Sequence, residues 1–178
     1  MAMTDTDALN AAAAQGELWT LPFTIVPSAS TMRAYIESAL QGVAAGTTLA
    51  YVTCVRESGQ VVGSTRFFDI DRVNRRLELG WTWIAEPWQK SFVNTEAKYL
   101  MLRFAFEQLR CLRVQLSTDE TNLRSRAAIV RLGARQEGII RKERVMPDGR
   151  QRNSVVFSIL DEEWPAVKAG LERQLERS

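Results

Sequence analysis

The chain has 178 residues, 46% hydrophobic and 25% charged, which suits one domain around a single core and excludes a disordered chain. A net charge of +2 makes no electrostatic case for direct nucleic acid binding. No stretch approaches the roughly 20 apolar residues of a membrane span.

The opening MAMTDTDALNAAAAQGE carries acids where a secretory leader would carry bases. Cytoplasmic location is therefore expected, with Cys54 and Cys111 reduced and structural. There is no histidine. That excludes Ser-His-Asp and Cys-His nucleophile systems and histidine-based zinc sites, and no metal is expected. A general base must then be a carboxylate, a tyrosine, a lysine or a water held by one of these.

Residues 4–19 are alanine-rich and predict a helix, broken by Pro22 and Pro27. Met32, Tyr35, Ile36, Ala39, Leu40 and Val43 recur at helical spacing, with Ser28 or Ser30 as cap and Gly46 as stop. TLAYVTCVR and VVGSTRFFDI, joined by ESGQ, read as a hairpin. NRRLELGWTWI is the next strand. Its alternation places Leu77, Leu79, Trp81 and Trp83 on one face and Glu78, Gly80 and Thr82 on the other.

A helix is predicted from about Thr95 to Arg110, with Ala97, Leu100, Met101, Phe104 and Ala105 on its apolar face. Leu102, Phe106 and Leu109 widen that face. CLRVQLST is a strand, and NLRSRAAIVRLG a helix stopped by Gly133. EGIIRKERVM and QRNSVVFSIL form a hairpin around PDGR. Residues 161–178 close the chain as an amphipathic helix. One domain spanning 1–178 is expected, an α/β fold with a mixed sheet and helices on its faces.

Two strand-to-helix junctions stand out. Helix starts expose unpaired N–H groups and a partial positive charge, which suits phosphate. Lys90 lies beside the first junction, and Arg124 and Arg126 lie in the first turn after Asn122. Plain connections with solvated cations would look the same.

RRLELGWTWIAEPWQKSFVNTEAKYLMLRFAFEQL, LRVQLSTDETNLRSRAAIVRLGARQEG and MPDGRQRNSVVFSILDEEWP occur in that order. Together they resemble the GCN5-related N-acetyltransferase (GNAT) superfamily, and within it the RimJ/RimL-type branch. The resemblance runs from about Val61 to Trp164. It implies a mostly antiparallel sheet with a V-shaped splay between the fourth and fifth strands, although no first strand is evident before residue 20. It also implies acetyl-CoA as co-substrate, with the pantetheine arm beside Trp83 and Ile84.

The pyrophosphate loop of the family, Gln/Arg-x-x-Gly-x-Gly/Ala, maps onto Gln89, Lys90, Ser91, Phe92, Val93 and Asn94, with Thr95 following. Phe92 stands where the family has glycine, which permits close approach of backbone to phosphate. Asn122, Ser125 and Arg126 match residues that hold the cofactor. Asn122 reads equally as a helix cap, and Arg124 as solvated.

The chemistry implied is acetyl transfer to a primary amine, of a protein N terminus or a small molecule, by direct attack in a ternary complex. A CoA-binding or interaction domain without catalysis is the alternative, and a longer acyl donor is a third reading. Glu78 is the candidate base, acting through a water, against a structural role paired with Arg66, Arg75 or Arg76. The tyrosine that serves many superfamily members as general acid is Ile129 here, which leaves Ser125 as a replacement. Trp81 and Trp88 are candidate acceptor contacts. Arg141, Lys142, Glu143 and Arg144 would meet an acceptor or a second subunit, a homodimer being possible, or form a solvated strand face.

Overall fold

The computed structural model describes residues 1–177. Six strands form one sheet: β1 (Leu49–Cys54), β2 (Val61–Asp71), β3 (Arg76–Ile84), β4 (Arg113–Asp119), β5 (Arg135–Val145) and β6 (Gln151–Leu160). Their order is β1-β2-β3-β4-β6-β5. Every neighbouring pair is antiparallel except β3 and β4. A parallel pair needs a crossover, and here the crossover contains the helix that begins at Phe92.

Five helices pack on the two faces: α1 (Thr6–Ala14), α2 (Met32–Ala44), α3 (Phe92–Arg103), α4 (Leu123–Arg131) and α5 (Trp164–Leu175). One core joins Leu77, Leu79, Val114 and Leu116 of the sheet to Met101, Leu102, Phe106, Ile129 and Leu171. A second joins Leu9, Leu18, Met32, Tyr35 and Ile36 to Trp83 and Ala85. So α1 and α2 cover one face, and α3, α4 and α5 the other.

Several expectations shift. The helix expected over 4–19 is α only from Thr6 to Ala14, with short 3-10 turns on either side. Helix α3 starts at Phe92, not Thr95, because Ser91 caps it: its Oγ accepts from Val93 N at 3.3 Å. After Arg103 the chain widens into a π-turn over Phe104–Gln108. The buried face of α3 is also rotated from the expected one. Val93, Lys98, Met101 and Leu102 are buried, whereas Leu100 is 46% exposed.

The Leu-Trp stripe of β3 is broken. Trp81 has φ +50, and the register against β2 slips between Ser64↔Trp83 and Arg66↔Gly80. That extra residue is a β-bulge, which reverses the alternation beyond it. Leu77 and Leu79 therefore face α3 and α5, while Trp83 joins the α1/α2 core with Trp81 against it. Glu78 lies opposite Leu77 and Leu79 as expected, but it shares its face with the tryptophans.

Candidate functional site

Pairing between β3 and β4 lasts for three residue pairs, Arg76↔Arg113, Leu77↔Val114 and Glu78↔Gln115. β4 continues beside β6 as far as Asp119, while the Trp81 bulge turns β3 aside. The strands splay, and a cavity of about 370 Å³ opens in the gap. The splay lies between the third and fourth strands of this chain, not the fourth and fifth, since no strand precedes β1 among the described residues.

The cavity has two ends. At one lie the starts of α3 and α4, with Gln89, Lys90, Ser91, Asn94, Thr95, Asn122, Arg124 and Ser125 on the wall. Lys90 takes φ +62, so the turn has a left-handed residue even without glycine. Gln89 Nε2 donates to Ile84 O at 2.8 Å, tying the loop to the end of β3. Helix geometry leaves the N–H groups of Phe92 and Asn94 without intrahelical partners.

Phe92 is 41% exposed and is absent from the cavity wall, so its ring is turned away from the space where an anion would sit. Val93 is also off the wall, buried with Val62 and Ile84. Asn122 caps α4, its Oδ1 accepting from Ser125 N at 3.0 Å, and it reaches the cavity as well. The two arginines exchange their expected places. Arg124 lines the cavity, whereas Arg126 Nη1 turns back to Glu120 O at 3.2 Å. Ile129, in the tyrosine position, is an apolar part of the wall.

At the other end, Glu78 is buried. Gln115 Nε2 donates to its Oε2 at 2.7 Å, and Ser117 Oγ donates to its Oε1. It makes no ion pair with Arg66, Arg75 or Arg76, nor with any other described residue. Arg66 instead donates to Tyr35 O at 2.9 Å and stacks on Tyr35 and Trp81 at 4.0 and 5.0 Å. That stacking fixes the indole of Trp81 on the wall. Trp83 and Ile84 also line the cavity, but Trp88 does not; it packs among Val62, Ile84 and Val93. The segment expected only to break the first helix closes this end, through Phe23, Thr24, Ile25 and Val26.

Two buried charged residues of the wall escaped the sequence reading. Arg152 is buried on β6. Lys98 is buried on α3, and its Nζ donates to Thr82 Oγ1 at 2.7 Å. It has no carboxylate partner among the described residues. Burial pushes its amine down to about 7, because desolvation penalises the charged form. Its signal was available: position 98 precedes Met101 and Leu102 by three and four residues, on the helix face that is buried.

The acetyltransferase (GNAT) domain model matches residues 1–135. The chain belongs to the GNAT acetyltransferase family. Among relatives of this GNAT protein is YdaF of Bacillus subtilis (strain 168), provisionally named a ribosomal N-acetyltransferase. It is 32% identical over 110 residues, 62% of this chain and 59% of that protein; the match thus spans under two thirds of that relative's length. A provisionally named acetyltransferase from T. thermophilus superposes with TM-score 0.83 at 36% identity, covering 98% of this chain and 90% of that one. Mycobacterium smegmatis RimJ, solved in complex with CoA-disulfide, shares the fold with TM-score 0.82 at 19% identity, over 98% of this chain and 86% of its own.

Proposed function

We propose that this GNAT protein is an acetyl-CoA-dependent N-acetyltransferase of the RimJ/RimL type, acting on a primary amine in the cytoplasm. The observation that carries this is the β3/β4 splay. It opens one continuous cavity between two helix starts and a buried carboxylate. The first end suits the phosphates of CoA: Lys90 and Arg124 supply charge, and the α3 start supplies backbone N–H groups. The β3 edge beyond Glu78, unpaired on its β4 side, offers a pantetheine amide the backbone groups that an added strand would use. Asn122 and Ser125 lie on the opposite wall. Acetyl-CoA supplies an activated acyl group.

At the other end Glu78 would take a proton from the incoming ammonium, directly or through a water, with Gln115 and Ser117 fixing its carboxylate. Backbone N–H groups of β3 past the bulge, near Trp83 and Ile84, would meet a developing oxyanion. No protein nucleophile is needed. Neither cysteine lines the cavity, so transfer is direct. The acceptor is a protein N terminus, as the ribosomal naming of the relative YdaF supports, or a small amine.

Replacing Glu78 by Gln keeps the side-chain shape and removes the base. Turnover of acetyl-CoA with an accepted amine should fall about 10²–10⁴-fold with acetyl-CoA affinity retained, as for loss of a general base. Unchanged turnover would remove Glu78 from the chemistry.

A further inference from the structure

β5 leaves its ladder with β6 just before the closing turn. The pairs Ile140↔Ser154 and Arg144↔Arg152 set residues 141–143 against the single Asn153. Lys142, in the middle, takes φ +51, a left-handed conformation that strains a lysine. Asn153 Oδ1 accepts its N–H at 2.8 Å. A bulge of this kind re-aims the side chain that follows it.

The side chain so delivered is Arg144. It lines the cavity, its guanidinium carbon 5.7 Å from the centroid of the Trp81 ring. Arg152, directly opposite on β6, lines the same cavity. Like charges on directly opposed residues repel, so the sheet gains nothing from this pair.

Nor does the protein neutralise it fully. Arg152 uses Nε on Ser154 Oγ at 2.9 Å, and its terminal nitrogens make no hydrogen bond with a described residue. Arg144 reaches Glu143 at 3.5 Å, in a partly exposed pair. Asp119 is already engaged by Arg150 at 2.6 Å. Burial first, and the charge of Arg144 second, push the Arg152 guanidinium below its ordinary range; Glu143, Asp119 and Glu78 oppose this.

We propose that the acceptor carries an anionic group, a carboxylate or a phosphate, close to its reacting amine, and that Arg144 and Arg152 bind it. This rests on the acetyltransferase reading and narrows it to a substrate class. Glu78, Arg144 and Arg152 line one cavity, so amine and anion belong to one small molecule or one terminal residue. Guanidinium is suited to both anions because its planar fork of donors matches their oxygens.

The test uses two matched pairs of dipeptide amides on the CoA-saturated chain. Aspartyl-alaninamide is compared with asparaginyl-alaninamide, and phosphoseryl-alaninamide with seryl-alaninamide. Binding is read by calorimetry on that complex, and acetylation by mass spectrometry with acetyl-CoA in place of CoA. The anionic member of one pair should bind and react about 10–100-fold better, the range for charge-assisted bonds, and the responding pair tells carboxylate from phosphate.

Arg152→Gln and Arg144→Gln should each level that pair, and Arg152→Lys should level it in part, with acetyl-CoA affinity as the control for folding. Equal handling within both pairs, or a preference surviving the double variant, overturns the proposal. If acetyl-CoA itself fails to bind, the acetyltransferase reading falls. The calorimetric comparison of the pairs, run without CoA, then still decides the anion site.

Discussion

Lys98 shows most sharply what one side chain can impose. Its amine, near 7 when folded and 10.5 in an ordinary lysine, binds a proton less readily in the native state than in the unfolded chain. Between those values the unfolded chain holds more protons, so stability should rise with pH from about 7 toward 10.5 and stay at its lower level below 7. The slope is at most about 1.4 kcal/mol per pH unit.

Urea midpoints at pH 6.5 and 9 should therefore differ for the wild type, the higher pH being the more stable. Lys98→Met should remove the difference and gain stability at pH 6.5. Equal midpoints in the wild type would show that Lys98 remains charged when buried. In the sequence this residue looked like one more lysine on a surface. Its spacing to Met101 and Leu102 carried the signal, and the packing of α3 on the sheet, which turns that face inward, makes it plain. Phe92 taught the opposite lesson. Its identity raised the question of a clash with phosphate, but its side chain is exposed and off the cavity wall.

At the scale of the element, the bulge and the capped helices were unevenly legible. The cap at Asn122 was readable because asparagine before a helical run satisfies the first free N–H groups. The α4 boundary accordingly fell where expected. The bulge at Trp81 was not readable: strict alternation in LELGWTWI is the sequence of an unbroken strand, and only pairing with β2 shows the extra residue. The expected tryptophan stripe failed for that reason.

Asn122 occupies both a cap and the cavity wall, and two substitutions separate its roles. Asn122→Ala should cost about 1 kcal/mol, or roughly 2–4 °C of Tm in a chain of this size, and weaken acetyl-CoA binding. Asn122→Ser keeps a capping oxygen, so Tm should hold while acetyl-CoA affinity still drops. If affinity follows Tm in both variants, Asn122 is a cap alone.

Across the whole molecule, the order strand, helix, strand, helix, hairpin was enough to fix a mixed sheet covered on both faces. The ordered motifs picked out the two helix starts that meet at one end of the cavity. Sequence order supplied the proposed acceptor end only in part: Trp81 and Arg144 were candidates, but nothing in it brought them to one wall. That end is built from parts distant along the chain: the irregular segment before α2, the bulge of β3, and Arg144 and Arg152 from the last hairpin. Each is polar or irregular, and none carries a local pattern.

The C-terminal helix α5 is structural by the same view. Leu171 is fully buried in the α3/α4/α5 core, and Tyr99 Oη donates to Glu172 Oε1 at 2.8 Å across the helix pair. Leu171→Ala should cost about 2–5 kcal/mol, seen as a lower urea midpoint, with acetyl-CoA affinity of the folded fraction unchanged. A loss of affinity under conditions where the chain stays folded would mean that α5 also shapes the cavity.

The central claim is that the splay between β3 and β4 holds acetyl-CoA, with the start of α3 at its phosphates. Calorimetric titration of the wild-type chain and of Phe92→Gly with acetyl-CoA tests it most directly. The account predicts one-to-one binding by the wild type and little change in Phe92→Gly, because the phenylalanine ring lies off the cavity wall. Binding by Phe92→Gly alone would contradict the assigned orientation of that loop, and binding by neither would contradict the claim itself.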